Sequence, residues 1–366
     1  MTRMNPRTIL VRAPNWIGDQ ILAFPFFYYL RKCYPAAKIT SVCVEWVKDL
    51  QFKDLVDDVY VLERSFKGSI FEKFGIITRA ADELRKKEKF DLAITLPNSI
   101  SSAWLVYRLG AVQRRGYRVE GRGILLNDGL KWDSDPERHR AQAYADLLPE
   151  CKTQFPLSNS VKDFWGIPGD SELDEPIPGE TISFDWQKSW NPEEVVEPPE
   201  GDYWVLAPGS TAESRRWPLE YMIQFARLVA REKKWQGIIV GGSKEAFLAS
   251  QLCEDRSLKL TDLTAQGPVS GLSKVFRNAK FTLTNESGLA HVASLCSSFV
   301  QIVCGAADPR RTRPLGPGKV QVAINPVDCW PCERNQCAEQ GGDRLKCLRG
   351  IKAEAVWEEI KLGLRR

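Results

Sequence analysis

Residues 207–218, APGSTAESRRWP, gather groups that hold an anion. Gly209 permits close backbone approach. Ser210, Thr211 and Ser214 supply hydroxyl donors, and Arg215 and Arg216 supply guanidinium forks that match phosphate oxygens. Trp217-Pro218 then opens a helix, with proline at an early helical position. An ordinary loop with a surface Arg pair is the alternative. A second junction, LTNESGLAHVA (283–293), sets Asn285, Glu286, Ser287 and Gly288 between a strand and a helix. The N–H groups of Ser287, Gly288 and Leu289 then lie near a helix N-terminus, where backbone donors and the dipole favour an anion. Glu286 is placed to accept from sugar or ribose hydroxyls. His291, one of two histidines, follows Gly288 by three residues, and both packing and function are open to it. In VGGSKE (240–245) two glycines end a strand that could pass beneath a nucleotide, with Glu245 reaching a ribose. The spacing is not G-x-G-x-x-G, so a nicotinamide cofactor is not indicated.

VRAPNWIGDQ (11–20) has the same strand–loop–helix outline but opposite chemistry. One glycine, Gly18, is followed by Asp19. A carboxylate repels a diphosphate, so this loop is a poor phosphate cradle. Early in a helix the dipole keeps it ionised, which suits a general base facing a neutral hydroxyl. Capping of the helix by Asp19 is the competing role. Pro25, six residues on, predicts that the helix breaks and restarts. Near the other end, Cys329, Cys332, Cys337 and Cys347 are spaced C-x2-C-x4-C-x9-C. Four thiolates could hold structural zinc or an iron–sulfur cluster, although the spacing fits neither pattern closely; two disulfides or packed thiols are equally open.

The elements that must position these groups repeat along the chain. Apolar strand candidates at 8–14, 38–45, 57–63 and 91–97 alternate with helical stretches near 20–34, 70–88 and 99–110. The pattern restarts with strands at 203–209, 236–242, 280–286, 298–305 and 319–325, with helices at 218–234 and 287–296 between them. Continuous apolar strands alternating with helices imply parallel sheets covered on both faces, and ligands then bind at the C-terminal strand ends. The seam is acidic and proline-rich. Residues 168–202 alone carry −10 within a chain of net charge +4, which leaves +14 on the rest and suits an anionic partner. The expected division is a first domain over 1–180, a linker over 181–202, a second domain over 203–350 containing the Cys-rich segment 329–347, and a helix over 351–366. No apolar run approaches a membrane span and the N-terminus lacks a signal-peptide core, so a cytosolic protein is expected, with most of its ten cysteines reduced.

These motifs resemble glycosyltransferase family 9, the bacterial lipopolysaccharide heptosyltransferases, and most of all those acting second in inner-core assembly. The resemblance runs through NWIGDQ (15–20), LPNS (96–99), RRGYRVEGRGILLND (114–128), PGSTAESRRWP (208–218) and NESGLAHVA (285–293). It implies an α/β GT-B fold, two Rossmann-like doubly wound domains facing across a cleft. It implies inverting transfer of L-glycero-D-manno-heptose from ADP-heptose to the heptosylated Kdo–lipid A inner core, by an enzyme peripheral to the cytoplasmic face of the inner membrane, with no required metal and no nucleic-acid partner. By position, Asp19 matches the catalytic base. Ser210, Thr211, Arg215, Glu286, Ser287, Gly288, Leu289 and His291 match the donor site, and Glu245 aligns roughly with an acid that contacts the nucleoside. Arg215 stands where the family usually has Lys, and Glu286 where it commonly has Asp. Arg114, Arg115, Arg118 and Arg122, with Arg108 nearby, are the candidates for acceptor phosphates. Asp133-Ser134-Asp135 follows no strand and reads as a loop. Another family-9 transferase with a different nucleotide-sugar or acceptor is the alternative; from another class, so is a non-catalytic nucleotide- or nucleic-acid-binding protein.

Overall fold

The computed structural model describes residues 5–63, 69–132, 138–149, 189–190, 194–297, 299–316 and 319–365. The expected loop at 133–135 and much of the expected linker lie outside these residues. The described chain forms two compact units, one of residues up to 149 together with Ser189 and Trp190, the other of residues from 194 onward.

The first unit is built on β1 (Thr8–Arg12), β2 (Lys38–Val44), β3 (Asp58–Leu62), β4 (Leu92–Thr95), β5 (Gln113–Tyr117) and β6 (Asp128–Leu130), in the order β3-β2-β1-β4-β5-β6. All pairs are parallel; Leu10, for example, sits opposite Thr40 on one side and Ala93 on the other. Ile9, Leu10 and Val11 are completely buried, as a strand covered on both faces requires. The second unit uses β7 (Tyr203–Ala207), β8 (Gln236–Ile239), β9 (Leu260–Asp262), β10 (Thr282–Asn285), β11 (Phe299–Val303) and β12 (Lys319–Ala323), ordered β12-β11-β10-β7-β8-β9 and again parallel. Numbered from its own first strand, each sheet runs 3-2-1-4-5-6. The direction of winding therefore reverses between β1 and β4, and again between β7 and β10. A doubly wound sheet opens a crevice at such a switch point.

The helix after β1 breaks as its proline demands. α1 (Ile17–Leu22) ends at Ala23, and α2 (Phe24–Cys33) begins with Pro25 in its first turn. α3 (Ile70–Lys87) starts in a capping box formed by Ser69 and Glu72, and α4 (Ile100–Leu109) stops at Gly110 in the left-handed region (φ 74°). α5 (Arg140–Ala145) packs on α1 and α2. In the second unit, α6 (Leu219–Glu232), α7 (Ala246–Cys253), α8 (Ser273–Asn278) and α9 (Gly288–Cys296) cover the sheet, followed by α10 (Pro309–Thr312) and α11 (Lys346–Arg349).

The C-terminal helix α12 (Ala353–Arg365) belongs to the second unit's core. Trp357 meets Phe225 and Phe281 at ring-centroid distances of 5.9 Å each, and Lys361 pairs with Glu232 at 3.2 Å. Gly363 allows the close approach, since a Cβ there would collide with the Phe299 ring. Burying an indole this way makes Trp357→Ala a loss of about 3–5 kcal/mol.

Candidate active site

At the first switch point, the loop after β1 is pinned from below. Arg12 is buried and donates to the Ala13 and Val42 carbonyls and to Asn15 Oδ1, while Trp46 Nε1 donates to the Asn15 carbonyl at 2.6 Å. α1 leaves this loop with Trp16 at its N-cap and no side-chain cap bond. Asp19 sits in the first turn, not at the cap, so the expected capping alternative does not describe it. A cavity opens here. Its walls are Pro14, Asn15, Trp16 and Asp19 after β1, Leu96 to Ser99 after β4, Tyr117 and Trp132 from the β5–β6 side, and Arg140, Ala143 and Tyr144 of α5. The Asp19 side chain is 29% exposed and lies 4.0 Å from Arg140 Nε. Tyr144 is buried; burial, and then the nearby Asp19 charge, push its pKa well above the usual phenol. Trp132 meets Tyr117 edge-on at 4.8 Å, and Arg138 lies over both rings. A carboxylate, an amide, hydroxyls and flat aromatic faces suit a polyhydroxylated ligand.

Three of the four arginines expected to hold acceptor phosphates are committed within the protein. Arg122 is completely buried. It donates to the carbonyls of Tyr117 (2.7 Å), Pro97 and Ser99 (3.3 Å) and to Asn98 Oδ1 (2.8 Å), and burial lowers its pKa to about 10. Its role is to clamp the Pro97–Ser99 wall of the cavity. Arg114 donates to the Leu125 and Ala111 carbonyls, and Arg115 to Asp128 and to the Leu147 and Leu148 carbonyls. Arg118 is exposed. A basic run read from sequence carries no information on which guanidinium the backbone will consume. Arg140 and Tyr144 were missed as chemistry, although their i, i+4 spacing placed them on one helical face.

The second switch point collects the expected donor residues on the loops after β7 and β10, with Glu245 on the loop after β8. Asn285 ties the loops together, donating from Nδ2 to the Pro208 carbonyl and accepting from the Trp217 N–H at 3.0 Å. Arg215 pairs with Glu286, Nε to Oε2 at 3.1 Å and Nη1 to Oε1 at 3.4 Å. Glu286 therefore reaches Arg215, and its side chain is only 10% exposed. Ser210 Oγ donates to the Glu286 carbonyl at 3.2 Å, and Thr211 is exposed. Ser287, Gly288 and Leu289 are half-exposed at the start of α9, whereas His291 is buried one turn later. Gly209 was expected to admit a ligand. What lies against it is Glu245, with which a Cβ would collide; Glu245 Oε2 accepts from the Gly242 N–H at 2.9 Å. Ser214, expected to donate to an anion, is buried and donates instead to the Arg334 carbonyl.

That last bond belongs to a brace. The Cys-rich segment holds the loop before α6 through Ser214 N–H to the Asn335 carbonyl (3.3 Å) and the ion pair of Arg344 with Glu213. It holds the loop after β11 through Glu333 N–H to the Ala306 carbonyl (2.9 Å) and the pair of Arg311 with Glu333 (2.7 Å). Cys329, Cys332, Cys337 and Cys347 are free thiols. Among the described residues no three His, Cys, Asp or Glu side chains are grouped so that they could hold a metal ion. Also among the described residues, no helix is long and apolar enough to cross a membrane.

Comparisons with known proteins agree with this layout. Residues 77–342, more than half of the chain, match glycosyltransferase family 9 (heptosyltransferase). The chain is 24% identical over 328 residues to lipooligosaccharide heptosyltransferase 2 of Haemophilus ducreyi, covering 87% of this chain and 89% of that protein. The solved structure of E. coli ADP-heptose LPS heptosyltransferase II superposes with a TM-score of 0.73 at 22% identity, covering 98% of both chains. E. coli heptosyltransferase WaaC, solved with ADP-2-deoxy-2-fluoro heptose, superposes with a TM-score of 0.65 at 17% identity, over 98% of this chain and 99% of that one. The two doubly wound units are those of the GT-B fold. This chain belongs to glycosyltransferase family 9, the heptosyltransferases.

Proposed function

We propose that this enzyme transfers L-glycero-D-manno-heptose from ADP-heptose to the heptosylated Kdo–lipid A inner core, with inversion at the anomeric carbon. The observation that carries the reading is the division of chemistry between the two switch points. A half-exposed carboxylate, with Arg140 4.0 Å away, stands among aromatic and neutral polar groups at the first. A guanidinium, hydroxyls and a helix N-terminus stand at the second. Similarity over most of its length to proteins named heptosyltransferase 2 supports this choice of donor and acceptor.

Asp19 takes the proton of the acceptor hydroxyl as its oxygen bonds to the anomeric carbon. The bond from that carbon to the ADP oxygen breaks, and ADP leaves with the electron pair. Arg215, oriented by Glu286, and the N–H groups of Ser287 to Leu289 stabilise the departing diphosphate, with Ser210 and Thr211 beside them. The base contributes roughly 10²–10⁴-fold; orientation and charge stabilisation supply the remainder. These groups provide the positive charge that the leaving group needs, so transfer in the presence of EDTA at an undiminished rate is expected. The acceptor is a glycolipid, which places the enzyme at the cytoplasmic face of the inner membrane as a peripheral protein. The deciding experiment is turnover with a panel of ADP- and UDP-sugars and a Kdo–lipid A acceptor bearing one heptose. ADP release with ADP-heptose is the expected result, and its absence removes the reading.

A further inference from the structure

We propose that Arg140 and Tyr144 are positioning residues for Asp19: two side chains one helical turn apart on α5 that fix its carboxylate and set the pH at which it accepts a proton. The inference rests on Asp19 being the base. α1 is a weak mount for such a group. It has six residues, no side-chain cap, and a break at Ala23 directly behind it. An Asp in its first turn, 29% exposed, needs partners from elsewhere to hold one rotamer. α5 packs against α1 and supplies them. Arg140 Nε stands 4.0 Å from Asp19 Oδ1, and Tyr144, buried one turn further along α5, lines the cavity beside the same carboxylate, close enough for the Asp19 charge to oppose ionisation of the phenol. Residues i and i+4 share a helical face, so one docking of α5 delivers both. All three side chains line one cavity.

The two partners do different work. The guanidinium favours the ionised carboxylate and keeps the base available at lower pH. Tyr144 stays protonated far above neutrality, because burial and the Asp19 charge both oppose its ionisation. It therefore stays a phenol that can donate to Asp19, and it does not compete for the substrate proton. Other ionisable groups on the packed elements are Tyr28, Tyr29, Arg31 and Lys32 of α2, Glu45, Lys48 and Asp49 of the turn after β2, and His139 at the N-cap of α5. None of them lines the cavity, where among the described residues Tyr117 is the further ionisable side chain, its hydroxyl donating to the Ala143 carbonyl.

The test compares pH profiles of kcat/KM for the wild type, Arg140→Gln, Arg140→Lys and Tyr144→Phe. Asp19→Asn is the reference, and ADP binding and thermal unfolding report on folding. Arg140→Gln should move the acid limb up by about one pH unit, and Arg140→Lys should restore most of it. Tyr144→Phe should lower kcat about tenfold with the acceptor KM within about twofold. An Arg140→Gln profile that superposes on wild type overturns the proposal, as does a rise in acceptor KM alone, which would make Arg140 a ligand contact. Wild-type turnover by Asp19→Asn overturns the base reading instead. Carbon-13 NMR titration of labelled Asp19 in wild type and Arg140→Gln reads the coupling without substrate. An unchanged Asp19 titration there sinks the inference whatever the enzyme transfers.

Discussion

The two switch points are the same piece of topology used twice. Both lie where the winding of a 3-2-1-4-5-6 parallel sheet reverses, both are made by the loops after the first and fourth strands, and both lead into a helix. Each holds a carboxylate–guanidinium pair, Asp19 with Arg140 and Glu286 with Arg215, but offers different groups beside the helix start. At the first, the helix begins IGDQ and presents Asp19. At the second, it begins GLAH and presents bare N–H groups, with Arg215 from the neighbouring loop. The backbone decides that a ligand sits there; the groups presented beside the helix start decide which kind. A buried polar residue braces each site. Asn285 ties the two loops of the second unit together, and Arg122 ties the loop after β4 to the end of β5 in the first, each donating to a loop carbonyl.

The comparison breaks most sharply at Asp19. Asp19→Asn should lower transfer by roughly 10²–10⁴-fold while ADP affinity, measured by calorimetry, stays within about twofold. A parallel loss of ADP binding would mean that the first switch point serves the donor. Next in size is Arg215→Ala. Removing a charge-assisted contact to phosphate is worth about 1.5–3 kcal/mol, or roughly 10–150-fold in ADP affinity, and it leaves Glu286 nearly buried without its cation. Arg215→Lys keeps the charge but not the fork and should recover part of the loss. Unchanged ADP affinity in both variants would move the diphosphate away from this loop.

A third contrast separates brace from site within one basic run. Arg122→Ala removes a fully buried side chain that donates to the Pro97, Ser99 and Tyr117 carbonyls and to Asn98 Oδ1, leaves a cavity in its place, and should cost about 3 kcal/mol, lowering the melting temperature of the first unit by roughly 6–12 °C. Arg118→Ala should change stability by less than about 0.5 kcal/mol and register, if anywhere, in acceptor KM. Equal melting temperatures would refute the assignment of Arg122 to structure.

This contrast also shows what the sequence carried. The strands at 8–12, 38–44, 203–207 and 299–303 were legible because burial on both faces writes itself as an unbroken apolar run. β5 was not, since QRRGY uses two arginines whose heads turn back to carbonyls and Asp128. β6 and β9, at three residues each, are too short to show a period. The residues proposed for the donor stand as local clusters in the sequence. Arg140 and Tyr144 do not, because their meaning comes from the packing of α5 on α1, a long-range contact. Ser214 and Gly209 read as ligand groups for the same reason in reverse: their partners, Arg334 and Glu245, lie 120 and 36 positions away.

The smallest expected effect concerns the thiols beside the loop before α6. Cys329 is exposed, whereas Cys347 is half-buried and packs against the second unit's core. Burial is the main cause that raises the Cys347 pKa, and the neighbouring Cys329, Cys332 and Cys337 add to it. A raised pKa means a smaller thiolate fraction at any given pH, and the thiolate is what an alkylating agent meets. Iodoacetamide at pH 7 should therefore label Cys329 well before Cys347, as read by peptide mass spectrometry, and raising the pH should narrow the gap. The Cys-rich segment holds the loop before α6 through Ser214, Glu213 and the Asn335 carbonyl, not through sulfur. Singly labelled protein should accordingly bind ADP within about twofold of the untreated enzyme. A larger loss would show that the chemical state of Cys329 reaches the second switch point, which the hydrogen bonds of the brace do not require.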